Sequence, residues 1–279
     1  MKVVTAIGEM RSCSRGWKSA GRKIAFVPTM GFLHQGHLSL IRAARKAGDV
    51  LVVSIFVNPS QFGPSEDLEA YPRDLDRDLE LSREERVDAV FAPPEEEIYP
   101  EGFSTWVEEI ELSRGLCGAA RPGHFRGVAT VVLKLFNIVS PDLAFFGRKD
   151  YQQFKVIEKM VRDLDLPVEV VGLPTVREAD GLAMSSRNKN LSVGERRQAL
   201  CLRRALLRAR EMVSEGETRA AAVRQEMEGM IGREPDARID YLEFADPETL
   251  KPRENLRPGD LAAGAVFIDT VRLIDNLLL

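Results

Sequence analysis

The feature that most constrains this chain is an alternation, between residues 23 and 174, of short apolar runs with longer segments of helical period. KIAFVPT (23–29) follows Gly21 and carries the β-branched and aromatic residues of a buried strand. GHLSLIRAARKAGD (36–49) then places Leu38, Ile41, Ala44 and Arg45 at helical spacing, with Gly48 at its end. DVLVVSIFV (49–57) is a nearly unbroken apolar run stopped by Asn58-Pro59, the pattern of a parallel strand buried on both faces. The exchange repeats: helix 75–87, strand 88–93, helix 127–139, strand 142–147, helix 151–165 and strand 168–174. Strand–helix–strand order with short connections predicts right-handed crossovers and an α/β fold built on a doubly wound parallel sheet. Ligands of such a sheet are expected at the carboxyl ends of its strands.

The style changes after 175–192. A long amphipathic helix is expected over about 193–214, with Leu202, Ala205, Leu206, Ala209, Met212 and Val213 on one stripe. A second helix (218–231) and strands at 238–245 and 265–274 complete a smaller α+β C-terminal domain. The predicted division is 1–176 and 177–279. Lys and Arg number 39 against 43 Asp and Glu, a net charge of −4, which argues against a nucleic-acid-coating surface. No apolar stretch has the length of a membrane span or of a signal peptide, and the three cysteines include no C-x-x-C pair. A cytoplasmic protein is the expectation.

Four loops lie where that fold binds ligands. In PTMGFLHQGHLSL (28–40) a strand ends, a glycine turn follows, and a helix begins near Gly36. The first four amides of a helix have no internal partner and its dipole favours anions, so a phosphate there would meet backbone N–H groups together with His34 and His37. The same environment disfavours imidazolium. A polar helix cap with two incidental histidines is the plainer reading, and a zinc site has no clear third ligand. In FVNPSQF (56–62), Asn58 and Gln61 are neutral amides able to bind hydroxyls and carboxylates, although Asn-Pro alone signals only a turn. FFGRKDYQQF (145–154) places Lys149 at a helix start, Asp150 as its cap, and Gln152 and Gln153 in the first turn. GLAMSSRN (181–188) offers two hydroxyls and the forked donor of Arg187 on a flexible loop, either a mobile polyphosphate clamp or an interdomain linker. His124, with Arg121 and Arg126 in RPGHFRG (121–127), is a candidate for anion binding or a subunit contact. Asp74, Asp76 and Asp78 read as a solvated helix face.

Taken together, PTMGxLHxGHxxL, NPxQF, the run RPGHFRGVATVVLKLFNIVSPDLAFFGRKDYQQ, PTVRE and GLAMSSRN closely resemble the pantothenate synthetase family of pantoate–β-alanine ligases, from about residue 24 to 190. RLIDN near the C-terminus is similar as well. HQGH also resembles the HxGH element of class I aminoacyl-tRNA synthetases and related nucleotidyltransferases, with MSSRN in the role of their mobile loop. The resemblance implies a Rossmann-type N-terminal domain, a smaller C-terminal lid, and a homodimer formed through the first domain. It implies condensation of (R)-pantoate with β-alanine at the expense of ATP, through a pantoyl-adenylate, with Mg²⁺ accompanying the nucleotide. No nucleic-acid or membrane partner is implied.

Carried over by residue, the resemblance places Met30, Gly31, His34 and His37 in the ATP-binding turn, with His37 as proton donor. It gives Gln61 and Gln153 to pantoate, Gln61 also to β-alanine, and Asn58 to the substrate. Gly147, Arg148, Lys149, Asp150, Val176, Met184, Ser185, Ser186 and Arg187 fall in nucleotide-contacting segments; His34, Lys149 and Arg187 join His37 in the charge-stabilising set. Asp78 matches a position linked to magnesium. The chain has GRKD where many relatives have GEKD, so Arg148 departs from the family pattern while Lys149 is retained.

Overall fold

A computed structural model describes residues 1–63 and 68–279. Two compact units are formed: Met1–Glu109, Pro122–Arg148 and Val156–Pro174 make the first; Ile110–Arg121, Lys149–Lys155 and Thr175–Leu279 make the second. The units therefore interleave along the chain, where the sequence pattern suggests one cut near residue 176. No helix among the described residues is long and apolar enough to cross a membrane.

The first unit contains β1 (Lys2–Val4), α1 (Ile7–Ser19), β2 (Ile24–Thr29), α2 (Gln35–Ala47), β3 (Val50–Ile55), α3 (Leu75–Glu84), β4 (Ala89–Phe91) and the short α4 (Glu95–Ile98). After α5 (Leu116–Ala120), which belongs to the second unit, come α6 (His124–Val139), β5 (Leu143–Gly147), α7 (Tyr151–Asp163), which enters the first unit at Val156, and β6 (Glu169–Leu173). The sheet is parallel throughout, in the order β1-β4-β3-β2-β5-β6. Successive strands run outward from β2 to β3 and β4, and the chain then returns to β2's other side for β5 and β6. The switch point is β2, and the crevice of a doubly wound sheet opens beside the carboxyl end of that strand.

Side chains alternate across this sheet because strand residues point to opposite faces in turn. Ala25, Val27, Leu51, Val53, Leu143 and Phe145 face α2, which contributes Leu38, Ile41 and Ala44. On the other face Phe26 and Phe146 each meet the ring of Phe136 from α6 edge-on. Burial on both sides explains why these strands read as continuous apolar runs.

In the second unit, α8 (Val193–Ser214) and α9 (Ala220–Ile231) pack on an antiparallel sheet of β7 (Ala237–Ala245), β8 (Leu261–Ile268) and β9 (Val271–Leu278). Leu202, Leu206, Val223, Met227, Leu242, Phe244 and Val266 form its centre. A reciprocal cap starts α8: Ser192 Oγ accepts the Glu195 N–H and Glu195 accepts the Ser192 N–H. The expected single strand over 265–274 is instead a hairpin. The continuous apolar run of β8 ends at the polar pair Asp269-Thr270, where Asp269 adopts φ 51 and reverses the chain into β9. The sequence pattern also omits β1 and α1. Three residues are too few for a strand period, and α1 carries Gly8, Gly16, Ser12, Ser14 and Ser19 with Met10 as its buried apolar residue.

Asp142 ties the amino ends of the sheet together. Its backbone N–H donates to Ile24 O, its carbonyl accepts from Glu169 N–H, and its carboxylate accepts from Ile24 N–H and the Lys18 ammonium. Burial would push this acid up, but those two donors outweigh it and hold it below the usual carboxylate range. A lowered folded pKa means stability that is present above the unfolded value and lost as pH falls through the folded one. Asp142→Asn is therefore expected to cost about 1 kcal/mol at pH 7, after allowance for solvent screening, and to cost progressively less below about pH 4. Urea unfolding of both proteins at pH 7 and pH 3 measures this.

Candidate active site

The turn after β2 is shaped by conformations that few residues tolerate. Gly31 has φ 80 and Phe32 φ 50. A Cβ on Gly31 would lie 2.9 Å from Asp78 Oδ2 and 3.0 Å from Ile55, so glycine is required by both backbone and space. Thr29 Oγ1 donates to Ser54 O at 2.7 Å and accepts the Gly31 N–H at 3.1 Å, joining the ends of β2 and β3. Asp78, on α3 and 1% exposed, accepts the N–H groups of Phe32 and Leu33, each at 2.7 Å. Its neighbour Arg77 donates to Leu33 O at 3.0 Å and lies over the Phe32 ring.

Asp78 is therefore not part of a solvated face, because one side of α3 is buried against this turn. Burial pushes its carboxyl above the usual range, while the two amides and Arg77 pull the other way. Asp78 is also the residue matched to a magnesium position. Each of its carboxylate oxygens accepts one backbone N–H, and among the described residues no group of three or more His, Cys, Asp or Glu side chains is placed to hold a metal ion.

α2 begins with a cap made of two histidines. His34 Nδ1 accepts the Gly36 N–H at 3.1 Å, and His37 Nδ1 accepts the His34 N–H at 3.3 Å. The rings stack with centroids 4.0 Å apart. A ring nitrogen that accepts a hydrogen bond carries no proton, so both imidazoles are assigned neutral with the proton on Nε2. The cap thus uses Nδ1 of each ring and takes no part of Nε2.

The turn after β3 is a second polar centre. Asn58, 1% exposed, donates from Nδ2 to Gly127 O at 3.2 Å and to Gln61 Oε1 at 3.1 Å. Its Oδ1 accepts from Ser60 Oγ and Tyr99 Oη, each at 2.8 Å. Gln61 Nε2 faces Met30 Sδ at 2.9 Å. Gly127 permits this approach, since a Cβ there would lie 2.3 Å from Ser60 O. His124 starts α6, and its Nδ1 is 2.7 Å from Gln61 O, while Arg126 lies over the Trp106 ring.

In the second unit Lys149 and Asp150 lie in the short turn ahead of α7, with Nζ and Oδ1 3.8 Å apart. Gln152 and Gln153 separate clearly. Gln152 is buried, donating to Leu112 O and Gly115 O and accepting from Cys117 N–H, so it holds the 112–117 segment; Gln153 is only half-buried. The 176–184 segment is no loose linker. Met184 N–H donates to Val176 O, Arg177 makes a bidentate pair with buried Asp275 at 2.7 and 2.9 Å, and Arg196 pairs with Glu178 and Asp180. Ser185 caps the following turn at the Arg187 N–H, and Ser186 and Asn188 are buried. Asn276 donates to Lys149 O at 2.8 Å. Asp275 and Asn276 are the D and N of RLIDN, so that motif anchors two of the expected nucleotide-contacting segments. Asp78, Tyr99, Arg177, Asp275 and Asn276 act through such anchoring, for which sequence spacing gives no sign. Arg148 is exposed, while Lys149 beside it is half-buried.

A parallel sheet switching at β2, with a doubly histidine-capped helix directly after that strand, defines the HxGH class of doubly wound α/β proteins. Within that class the chain belongs to the pantoate–β-alanine ligase family, enzymes that join pantoate to β-alanine; the family's model matches residues 2–278. The pantothenate synthetase of Thermosipho africanus is 54% identical over 279 residues, covering 100% of both chains. That of Moorella thermoacetica is 55% identical, covering 100% of this chain and 99% of its own. Among solved structures, pantothenate synthetase from Thermus thermophilus superposes with TM-score 0.93 at 49% identity, over 100% of this chain and 99% of that one. Pantoate–β-alanine ligase from Francisella tularensis, complexed with β-γ ATP and β-alanine, gives TM-score 0.81 at 34% identity, over 100% and 97% of the two chains.

The Asp78 geometry has a direct consequence. Asp78→Asn keeps the shape but turns an NH₂ toward one of the two amides, leaving a buried donor unpaired at a cost of about 1–3 kcal/mol. Turnover is expected to fall at least tenfold while the far-UV circular dichroism spectrum is unchanged. A variant with wild-type turnover would assign the turn's shape to Thr29 and Gly31 alone.

Proposed function

We propose that this chain condenses (R)-pantoate with β-alanine in two steps, using ATP and releasing AMP and pyrophosphate through a pantoyl-adenylate. The observation that carries the reading is the reciprocal histidine cap. It holds two neutral imidazoles, protonated on Nε2, at the N-terminus of α2 beside the carboxyl end of the switch-point strand. The Francisella relative complexed with β-γ ATP and β-alanine supports the choice of substrates.

In the first step a pantoate carboxylate oxygen attacks the α-phosphorus in line and the bond to pyrophosphate breaks. A carboxylate is ionised at neutral pH, so no general base is needed, and catalysis consists of positioning and of stabilising charge on the phosphoryl oxygens. We assign that stabilisation to His34 and His37 with the α2 N-terminus, and to Lys149 and Arg187. His37, neutral with its proton on Nε2, donates that N–H to the phosphoryl oxygens. Met30 and Gly31 form the nucleotide turn, and Gly147, Arg148, Asp150, Val176, Met184, Ser185 and Ser186 are the further nucleotide-contacting positions. Magnesium enters with ATP as part of that substrate. In the second step the neutral amine of β-alanine attacks the acyl carbon, the bond to AMP breaks, and the amine's proton is released. Asn58, Gln61 and Gln153 are assigned to pantoate, and Gln61 also to β-alanine.

The same reading makes residues 1–176 the ATP- and pantoate-binding domain and 177–279 a lid, with a cytoplasmic homodimer formed through the first; sedimentation equilibrium tests the dimer. Pantoate-dependent exchange of labelled pyrophosphate into ATP tests the chemistry. Exchange is expected only when pantoate is present, and exchange that ignores pantoate would sink the adenylate. His37→Ala and Lys149→Ala are each expected to lower that exchange at least tenfold without unfolding, since loss of one such donor typically costs about 10²–10³-fold. A near-wild-type rate in either variant removes that residue from the charge-stabilising set.

A further inference from the structure

The hydrogen bonds around Asn58 have a forced direction, and that direction reaches Gln61. A backbone carbonyl can only accept, so Gly127 O, 3.2 Å from the Asn58 amide, fixes which end of that amide is Nδ2. The other end, Oδ1, lies 2.8 Å from both Tyr99 Oη and Ser60 Oγ. These two hydroxyls are 2.9 Å apart. Whichever of them donates to the other, at least one proton remains directed at Asn58 Oδ1. The second Nδ2 proton goes to Gln61 at 3.1 Å, so the Gln61 atom there is Oε1. Nε2 then takes the opposite side, next to Met30 Sδ at the end of β2.

We propose that Tyr99, with Ser60, is a positioning residue that holds the Asn58 amide in the orientation Gly127 O selects, and through it the Gln61 amide, so that Gln61 presents N–H donors to the oxygen atoms of a hydroxy-carboxylate substrate. The inference rests on the assignment of Gln61 to pantoate. It adds residues from outside the site: Tyr99 lies beyond α4, and its ring packs against Phe56, Phe103 and Trp106. Burial pushes the phenol's pKa above its ordinary value, against the pull of Ser60 and Asn58, so Tyr99 keeps its proton. A carboxylate and hydroxyls are acceptors. An unpinned amide could turn its oxygen toward them, and two facing acceptors repel; the relay removes that alternative before substrate arrives.

The test separates the hydroxyl from the ring. Tyr99→Phe keeps the aromatic packing and removes only the O–H; Ser60→Ala removes the other donor; the double variant leaves Asn58 Oδ1 with neither. KM for pantoate is expected to rise about threefold to tenfold in each single variant and more than tenfold in the double. KM for ATP should stay within twofold of wild type and the melting temperature should be nearly unchanged. Equal rises in KM for pantoate and ATP would mean general loosening and would overturn the relay, as would an unchanged KM for pantoate in the double variant. If the double variant does not fold, the two single variants decide by the same criteria. Gln61→Glu, measured alongside, replaces the N–H donors with a second carboxylate oxygen and should raise KM for pantoate by more than tenfold. If Gln61→Glu binds pantoate normally, the assignment of Gln61 itself fails. If Gln61→Glu is impaired while Tyr99→Phe and Ser60→Ala are not, only the relay fails.

Discussion

The buried carboxylate of Asp78 is the contact on which the turn after β2 depends. A strand that ends at a switch point must release its chain into a helix within a few residues, and the amides of that connection have no ladder or helix partner. Asp78 accepts two of them, and Arg77 beside it takes the Leu33 carbonyl, so one turn of α3 fixes both polar directions of the connection. With Phe32 and Leu33 held, His34 reaches the cap position of α2 and His37 can close the cap from within. Burying a charge is costly unless hydrogen bonds repay most of the lost hydration. Two short amide bonds and an adjacent guanidinium offset part of that cost here, and burial still holds the carboxyl above its usual range.

A shared logic runs through both polar centres of the first unit. Groups able to bond in more than one way are each tied to a backbone group that can bond in only one. The backbone amides tie the two histidines at Nδ1, and the Gly127 carbonyl ties Asn58, which in turn ties Gln61. The opposite ends of these side chains, Nε2 of each imidazole and of Gln61, are therefore preset in direction. In the second unit, Arg177, Asp275 and Asn276 likewise brace the backbone ahead of the 181–188 segment and at Lys149.

Much of the first unit was legible because parallel strands buried on both faces leave continuous apolar runs, and because Gly48 and Asn58-Pro59 stand at their borders. β1 and α1 were not, since three residues define no period and a serine- and glycine-containing helix shows no strong stripe. The hairpin of β8 and β9 was missed because Asp269-Thr270, a two-residue polar break without glycine, asparagine or proline, is a weak turn signal, and the positive φ is supplied by Asp269. The histidine pair, the Asn58–Gln61 pair and the Lys149 turn were visible as motifs. Gln152 and Gln153 were indistinguishable in sequence, and the path of the 112–117 segment separated them by burying one.

By itself the sequence determined the class of sheet, the loops at its carboxyl ends and the family, because periodicity and motif spacing are local properties of the chain. Only the tertiary structure decided which polar groups brace the backbone and which pair with other side chains. Asp78 stood as a face residue or metal ligand, and Tyr99 had no role until the fold placed each within hydrogen-bonding distance of a group distant in sequence. A hydrogen bond depends on separation and direction at the scale of a few tenths of an ångström. Those quantities do not exist until the packing of α3, α6 and the sheet has fixed where each side chain ends.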